Sequence, residues 1–336
     1  MTSCHRFLLA LATLLTVVVV PLGAWVRLSD AGLGCPDWPG CYGHLVGVPD
    51  SPAELAAAAS AYPQQPVESA KAWKEMIHRY AAGTLGLLIL LVAVSAWRSW
   101  RRGAIERAPW METAVIGVVI FQALLGMWTV TELLKPVVVT AHLLGGMTIL
   151  TLLALLLWGE PTRGLMQQQY RADALTTRLG LLSLVLLVAQ IALGGWVSSN
   201  YAALACSDFP TCGGSWWPAV EYGPAFHLQR ELGETASGEL LSQAALQAIH
   251  WTHRIGALAV LVSCGAYALR LVGRTPTRAA GLLLTALLLT QAGLGMANVI
   301  LSLPITIAVA HNLGAALLLA TLAVTLRRGC GDHRCI

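Results

Sequence analysis

Eight runs of roughly twenty apolar residues constrain this 336-residue chain more than any other feature. They cover about 7–26, 77–97, 111–130, 137–158, 178–198, 249–270, 278–298 and 304–326, and about 20 such residues in a helix cross the hydrocarbon core of a bilayer. None of the runs alternates with period two, so helices are expected rather than barrel strands, because a helix satisfies its own backbone groups in lipid. Only 11% of residues are charged and 56% are hydrophobic, against about 25% and about 45–50% in a soluble domain. That balance excludes an ordinary soluble enzyme and equally a disordered chain. A net charge of +4 leaves membrane lipid, and no nucleic acid, as the surrounding partner. The first run is read as a span and not a signal peptide, since it is long for one and Trp25-Val26-Arg27 is a poor cleavage site.

Basic residues predict the orientation. Arg98, Arg101, Arg102 and Arg107 lie between spans 2 and 3, Arg163, Arg171 and Arg178 between spans 4 and 5, and Arg270, Arg274 and Arg278 between spans 6 and 7. With Arg6 and the tail residues Arg327, Arg328 and Arg334, 14 of 21 basic residues fall on one side. Both termini are therefore expected in the cytoplasm. The long segments 27–76 and 199–248 are expected outside, without a compact soluble domain in either.

The chain also repeats itself. Trp25-Val26 opens a segment ending Cys35-Pro-Asp-Trp-Pro-Gly-Cys41, and 171 residues on Trp196-Val197 opens one ending Cys206-Ser-Asp-Phe-Pro-Thr-Cys212. Gln122-Ala-Leu-Leu-Gly126 recurs as Gln291-Ala-Gly-Leu-Gly295, His78-Arg79 as His253-Arg254, and Ala-His142-Leu-Leu-Gly145 as Ala-His311-Asn-Leu-Gly314. Internal repetition in this order implies a duplication. The fold expected is an all-α polytopic membrane protein: eight transmembrane helices in two tandem four-helix bundles, 1–170 and 171–336, related as a parallel repeat. Small residues such as Gly83, Gly86, Gly145, Gly146 and Gly314 suit close helix packing.

Ionisable residues within spans are functional candidates. His78, His142, His253 and His311 fall on spans 2, 4, 6 and 8, each near the outer end. Neutral imidazole is a metal ligand, and two imidazoles across a bundle hold a haem iron from both sides. This reading puts one haem site in each half, with Gly145 and Gly314 leaving room for a flat macrocycle and Arg79 and Arg254 reaching out to propionates. The rivals are helix-bridging hydrogen bonds and zinc, for which no third ligand recurs. Three residues before His78 stands Glu75; three before His253 stands His250. A carboxylate in one half alone suggests that one haem is worked on and the other is fixed. Glu75 is then a candidate for proton transfer, or simply a helix N-terminal carboxylate favoured by the dipole. His250 is expected mainly at the water interface.

These residues together resemble the haem A synthase family, in its bacterial, cysteine-bearing form. The resemblance spans essentially the whole chain and rests on Glu75-Met-Ile-His78-Arg79, Ala-His142, His253-Arg254, Ala-His311 and the Cys35/Cys41 loop. It implies an enzyme of the bacterial inner membrane that oxidises a ring methyl of haem O to a formyl group, through a hydroxymethyl stage, giving haem A for cytochrome oxidase. It implies that His253 and His311 bind haem b, and that His78 and His142 with Glu75 form the site for haem O. Oxygenation and an electron-transfer route with water as nucleophile both remain open. Haem O synthase and cytochrome oxidase assembly factors are the implied partners, and a homo-oligomer is compatible. A di-haem electron-transfer cytochrome is the rival reading; a transporter is disfavoured by the scarcity of midplane charges.

Cys35, Cys41, Cys206 and Cys212 all fall outside, where disulfides persist. A disulfide in each loop is expected, structural or, for the first pair, redox-active. The tail Cys330-Gly-Asp-His333-Arg-Cys335 holds too few ligands for a structural zinc. No phosphate-binding or dinucleotide fingerprint is present.

Overall fold

The computed structural model describes residues 3–159 and 172–330. Arg163, Arg171, Arg334, the tail residues His333 and Cys335, and the expected boundary near 170 lie outside the described residues. In chain order the described α-helices are α1 (Ser3–Leu28), α2 (Pro52–Ala61), α3 (Ser69–Arg101), α4 (Trp110–Thr131), α5 (Pro136–Trp158), α6 (Ala174–Ser199), α7 (Tyr222–Ala225), α8 (Gln243–Val272), α9 (Arg278–Ile300) and α10 (Ile305–Cys330). Eight of them, all but α2 and α7, are long and apolar enough to cross a membrane. The eight spans read from hydropathy are thus eight helices, as an all-α membrane protein requires. Among the described residues β-pairing is limited to isolated bridges, Cys41 with His44 and Cys212 with Ser215.

Two helices start well before their apolar runs. α3 starts at Ser69 and α8 at Gln243, and one side of each added segment packs against protein. Ala72 and Met76 pack with Cys35, Cys41 and Tyr42, and Trp251 packs with Cys206 and Cys212. The loop before α3 holds the short α2, started by a capping box in which Ser51 and Glu54 satisfy each other's backbone amides. Side chains also cap α6 and α8: Asp173 accepts from the Thr176 amide and Ser242 from that of Ala245. Asp173 further pairs with Arg270 at 2.9 Å and Arg274 at 2.6 Å. The Thr176 hydrogen bond and then these two guanidiniums hold its carboxyl below the usual carboxylate range.

The chain divides into two compact units, Met1–Gly146 with Leu228–Glu239, and Met147–His227 with Leu240–Ile336. In the first, α3 packs against α1 and α4, and the outer part of α5 lies against α4 through His142 and Gly126. α1 carries Pro21 in its interior, which removes one backbone hydrogen bond from that helix. In the second unit α6 packs on α8, α8 on α9, α9 on α10 and α10 back on α6, closing a ring of four helices. Its core is filled by Tyr267, Leu271, Leu284, Leu318 and Leu322, each 2% exposed or less.

Candidate functional site

Each of the four histidines has its imidazole edge pressed against a glycine of the neighbouring helix. A Cβ built on Gly23 of α1 would stand 2.9 Å from His78 Cε1 on α3, and one on Gly126 of α4 would stand 3.2 Å from His142 Cε1 on α5. In the second unit Gly194 of α6 faces His253 on α8, and Gly295 of α9 faces His311 on α10, both at 3.1 Å. Only a residue without a side chain lets the ring lie this close. The helix pairs therefore set where each imidazole sits, and a larger residue would push it away.

A glutamine one turn before the glycine completes three of these contacts. Gln122 Nε2 donates to the backbone carbonyl of His142 at 2.7 Å, and Gln190 Nε2 donates to that of His253 at 2.9 Å. Gln291 Nε2 lies 3.4 Å from His311 Nε2. The amide heads rest on Gly145, Gly256 and Gly314, where a Cβ would collide with them. The space at Gly145 and Gly314 that sequence reading reserved for a macrocycle is thus filled by glutamine side chains, because a bare backbone there admits an amide. Gln190 escaped sequence reading; its Gln-x3-Gly spacing, shared with Gln122 and Gln291, was the available signal.

The ring nitrogens favour a ligand. Nδ1 of His78, His142 and His311 is buried without a hydrogen-bond partner, which costs free energy unless something else satisfies the ring. Each residue still keeps some accessible surface. His78 and His142 lie within electrostatic reach of each other, as do His253 and His311. Among the described residues no group of three or more His, Cys, Asp or Glu is placed to hold a bare metal ion. Two imidazoles suffice for an iron whose other four ligands come from a macrocycle, so the residues present fit haem.

Beside His78 and beside His253 lies a cysteine loop, tied down in the same way twice. Cys35 is disulfide-bonded to Cys41, and Cys206 to Cys212. Asp37 accepts the amides of Tyr42 at 2.6 Å and Gly43 at 2.8 Å. Asp208 accepts those of Gly213 at 2.6 Å and Gly214 at 2.9 Å. With the Thr211 hydroxyl foremost, these donors hold the Asp208 carboxyl below the usual carboxylate range. Arg79 donates to the carbonyls of Asp37, Pro39 and Gly40, and Arg254 to those of Asp208, Thr211 and Cys206. The arginines assigned from sequence to propionates are, in the structure, directed at loop carbonyls.

Glu75 is 5% exposed and His250 is 4% exposed. Glu75 accepts the amide of Cys35 at 3.0 Å and is paired with Arg79. His250 Nδ1 lies 3.3 Å from the amide of Cys206 and its Nε2 3.3 Å from Arg254 Nε, and the neutral ring accepts from one of the two donors. His250 is therefore buried under its loop rather than facing water, because the loop's amide needs an acceptor there. Glu75 lies beyond the first turn of α3, past the reach of the helix dipole.

A family model described as cytochrome oxidase assembly protein, COX15-CtaA, matches residues 6–323. A heme A synthase of Shewanella oneidensis is 44% identical over 316 residues, which cover 94% of each chain. One of Halalkalibacterium halodurans is 28% identical over 259 residues, covering 74% of this chain and 78% of that protein. One of Rhizorhabdus wittichii is 27% identical over 335 residues, covering 94% and 90%. The histidine pairs and cysteine loops thus stand in a chain that belongs to the COX15-CtaA family of cytochrome oxidase assembly proteins, the family of the haem A synthases.

Proposed function

We propose that this protein is the enzyme that oxidises a ring methyl of haem O to the formyl group of haem A, through a hydroxymethyl stage, for use in cytochrome oxidase. The overall change is CH3 + H2O → CHO + 4 H+ + 4 e−, replacing two C–H bonds by a carbon–oxygen double bond, with dioxygen or an external electron acceptor taking up the electrons. In this reading His78 and His142 hold the substrate haem O, and His253 and His311 hold a resident haem b. A bound haem supplies the redox chemistry, and the protein supplies ligation, position and polarity. The observation that carries the assignment is the buried carboxylate of Glu75 on the same face of α3 as His78, where the second unit has His250. Glu75 is read as the catalytic group that exchanges protons at the substrate site. Arg79 and Arg254 hold the loops over the haem edges.

The two halves of the sequence, 1–170 and 171–336, are read as products of a duplication. The arginine distribution supports cytoplasmic termini and external cysteine loops in a bacterial inner membrane. Haem O synthase is the partner class that must supply the substrate.

The test is co-expression with a haem O synthase, followed by extraction and chromatography of the pigments. Haem A should accumulate, together with haem b held by the purified protein. Untouched haem O beside haem b would leave a di-haem electron-transfer cytochrome as the better reading.

A further inference from the structure

Three of the four histidines share a frame that the fourth lacks. His142, His253 and His311 each have a glycine against the ring, a glutamine four residues before that glycine, and a second glycine three residues after the histidine that receives the amide. The glutamine grips the histidine's backbone or ring while the first glycine walls the imidazole, so each is held at two points. At His78 the wall is present as Gly23. Four residues before it, however, stands Val19, which carries no donor, and three residues after His78 stands Ala81 where the other three histidines have glycine. Pro21 lies between Val19 and Gly23. It removes a backbone hydrogen bond from the one helix that walls His78, and a helix yields most readily at such a point.

We infer that Gln122, Gln190 and Gln291 are positioning residues that fix three of the histidines, and that His78, held at one point against a proline-interrupted helix, is the exchangeable ligand of the substrate haem. The inference rests on the reading of His78 and His142 as the ligands of that haem. It makes the His78 side the place where a small neutral ligand, such as a diatomic gas, gains access, while His142 keeps the substrate in register.

Two measurements on the full-length protein, purified with haem O after co-expression, test this. In the first, His78→Gly keeps the substrate haem in a high-spin form held by His142, whereas His142→Gly loses it. The reverse pattern, or equal retention in both, overturns the inference. In the second, carbon monoxide is titrated into the reduced protein. Val19→Gln combined with Ala81→Gly builds the missing frame and should lower carbon monoxide affinity at the substrate haem by about fivefold, the factor expected from one net hydrogen bond. Gln122→Leu should raise the high-spin fraction of that haem by releasing His142. Unchanged affinity in the double variant, with the low-spin spectrum of the resident haem intact, also overturns it. Failure of the unmodified protein to retain any low-spin haem would instead remove the ligand reading itself, a distinguishable result.

Discussion

Glu75 Oε2 accepts the backbone amide of Cys35 at 3.0 Å, joining the helix that carries His78 to a disulfide-closed loop. In the second unit the amide of Cys206 lies 3.3 Å from His250 Nδ1. In both cases an arginine four residues on lies against the same side chain and donates to the loop carbonyls. Holding the loop therefore needs an acceptor at this station and not an acid. What a carboxylate adds at position 75 alone is negative charge, set beside Arg79 and one turn from His78.

Replacing Glu75 by glutamine should separate holding the loop from acid–base chemistry. Glu75→Gln keeps an oxygen that can accept the Cys35 amide but neither ionises nor exchanges a proton, so the loop and the haem b content should survive. Product formation should fall by about 100-fold, the scale of a lost general acid–base group. The ratio of haem A to haem O by chromatography, set beside haem b by its reduced-minus-oxidised spectrum, measures both. Equal loss of the two signals would make Glu75 a structural residue.

The assignment of the resident haem is tested by its ligands. His253→Ala or His311→Ala should abolish the low-spin haem b spectrum of the purified protein, whereas His78→Ala should leave it in place. Persistence of an unchanged haem b spectrum in the His253 or His311 variant would refute the division of labour between the two units.

The eight helices were legible because lipid leaves so little latitude: a run of about 20 apolar residues has one way to satisfy its backbone. The N-terminal extensions of α3 and α8 were not, since only Ala72, Glu75 and Met76 in the one and Ala245 and Ala248 in the other are buried, and neither segment carries a long apolar signal. The histidines stood out as ionisable groups in apolar runs. The glutamines did not, because an uncharged amide in a span is unremarkable until its hydrogen bond to the histidine carbonyl is seen. Arg79 and Arg254 were read for their charge, yet what fixes them is the set of loop carbonyls left unpaired by the tight turns between the cysteines, which no spacing rule reveals.

Glycines that wall the rings should tolerate no branching. Gly194→Val places a side chain against a ring edge already 3.1 Å from an added Cβ, and overpacking of this kind costs about 1–3 kcal/mol. If haem b occupies this pair, the variant should bind it weakly or with a shifted absorption band, while the substrate site stays intact. Gly83→Val is the control, since nothing lies within 4 Å of its Cβ position. A haem b spectrum equally disturbed in both variants would show that the glycine wall does not set the imidazole.

The two disulfides should differ in their consequences although they close loops of equal length. Each spans a sequence separation of 6, for which chain entropy gives a stabilisation of about 2 kcal/mol. Each loop also keeps its aspartate-bound amides and arginine-bound carbonyls. Neither pair of serine substitutions should therefore unfold the protein. Cys206→Ser with Cys212→Ser loosens a loop resting on His250, and haem A production should remain near that of the parent. Cys35→Ser with Cys41→Ser frees the amide that orients Glu75, and misplacing a catalytic group costs about tenfold or more in rate. Product per unit of membrane protein, normalised to haem b, measures the difference. Equal loss in both double variants would assign the disulfides to stability alone, and equal retention would detach the Cys35 amide from the chemistry of Glu75.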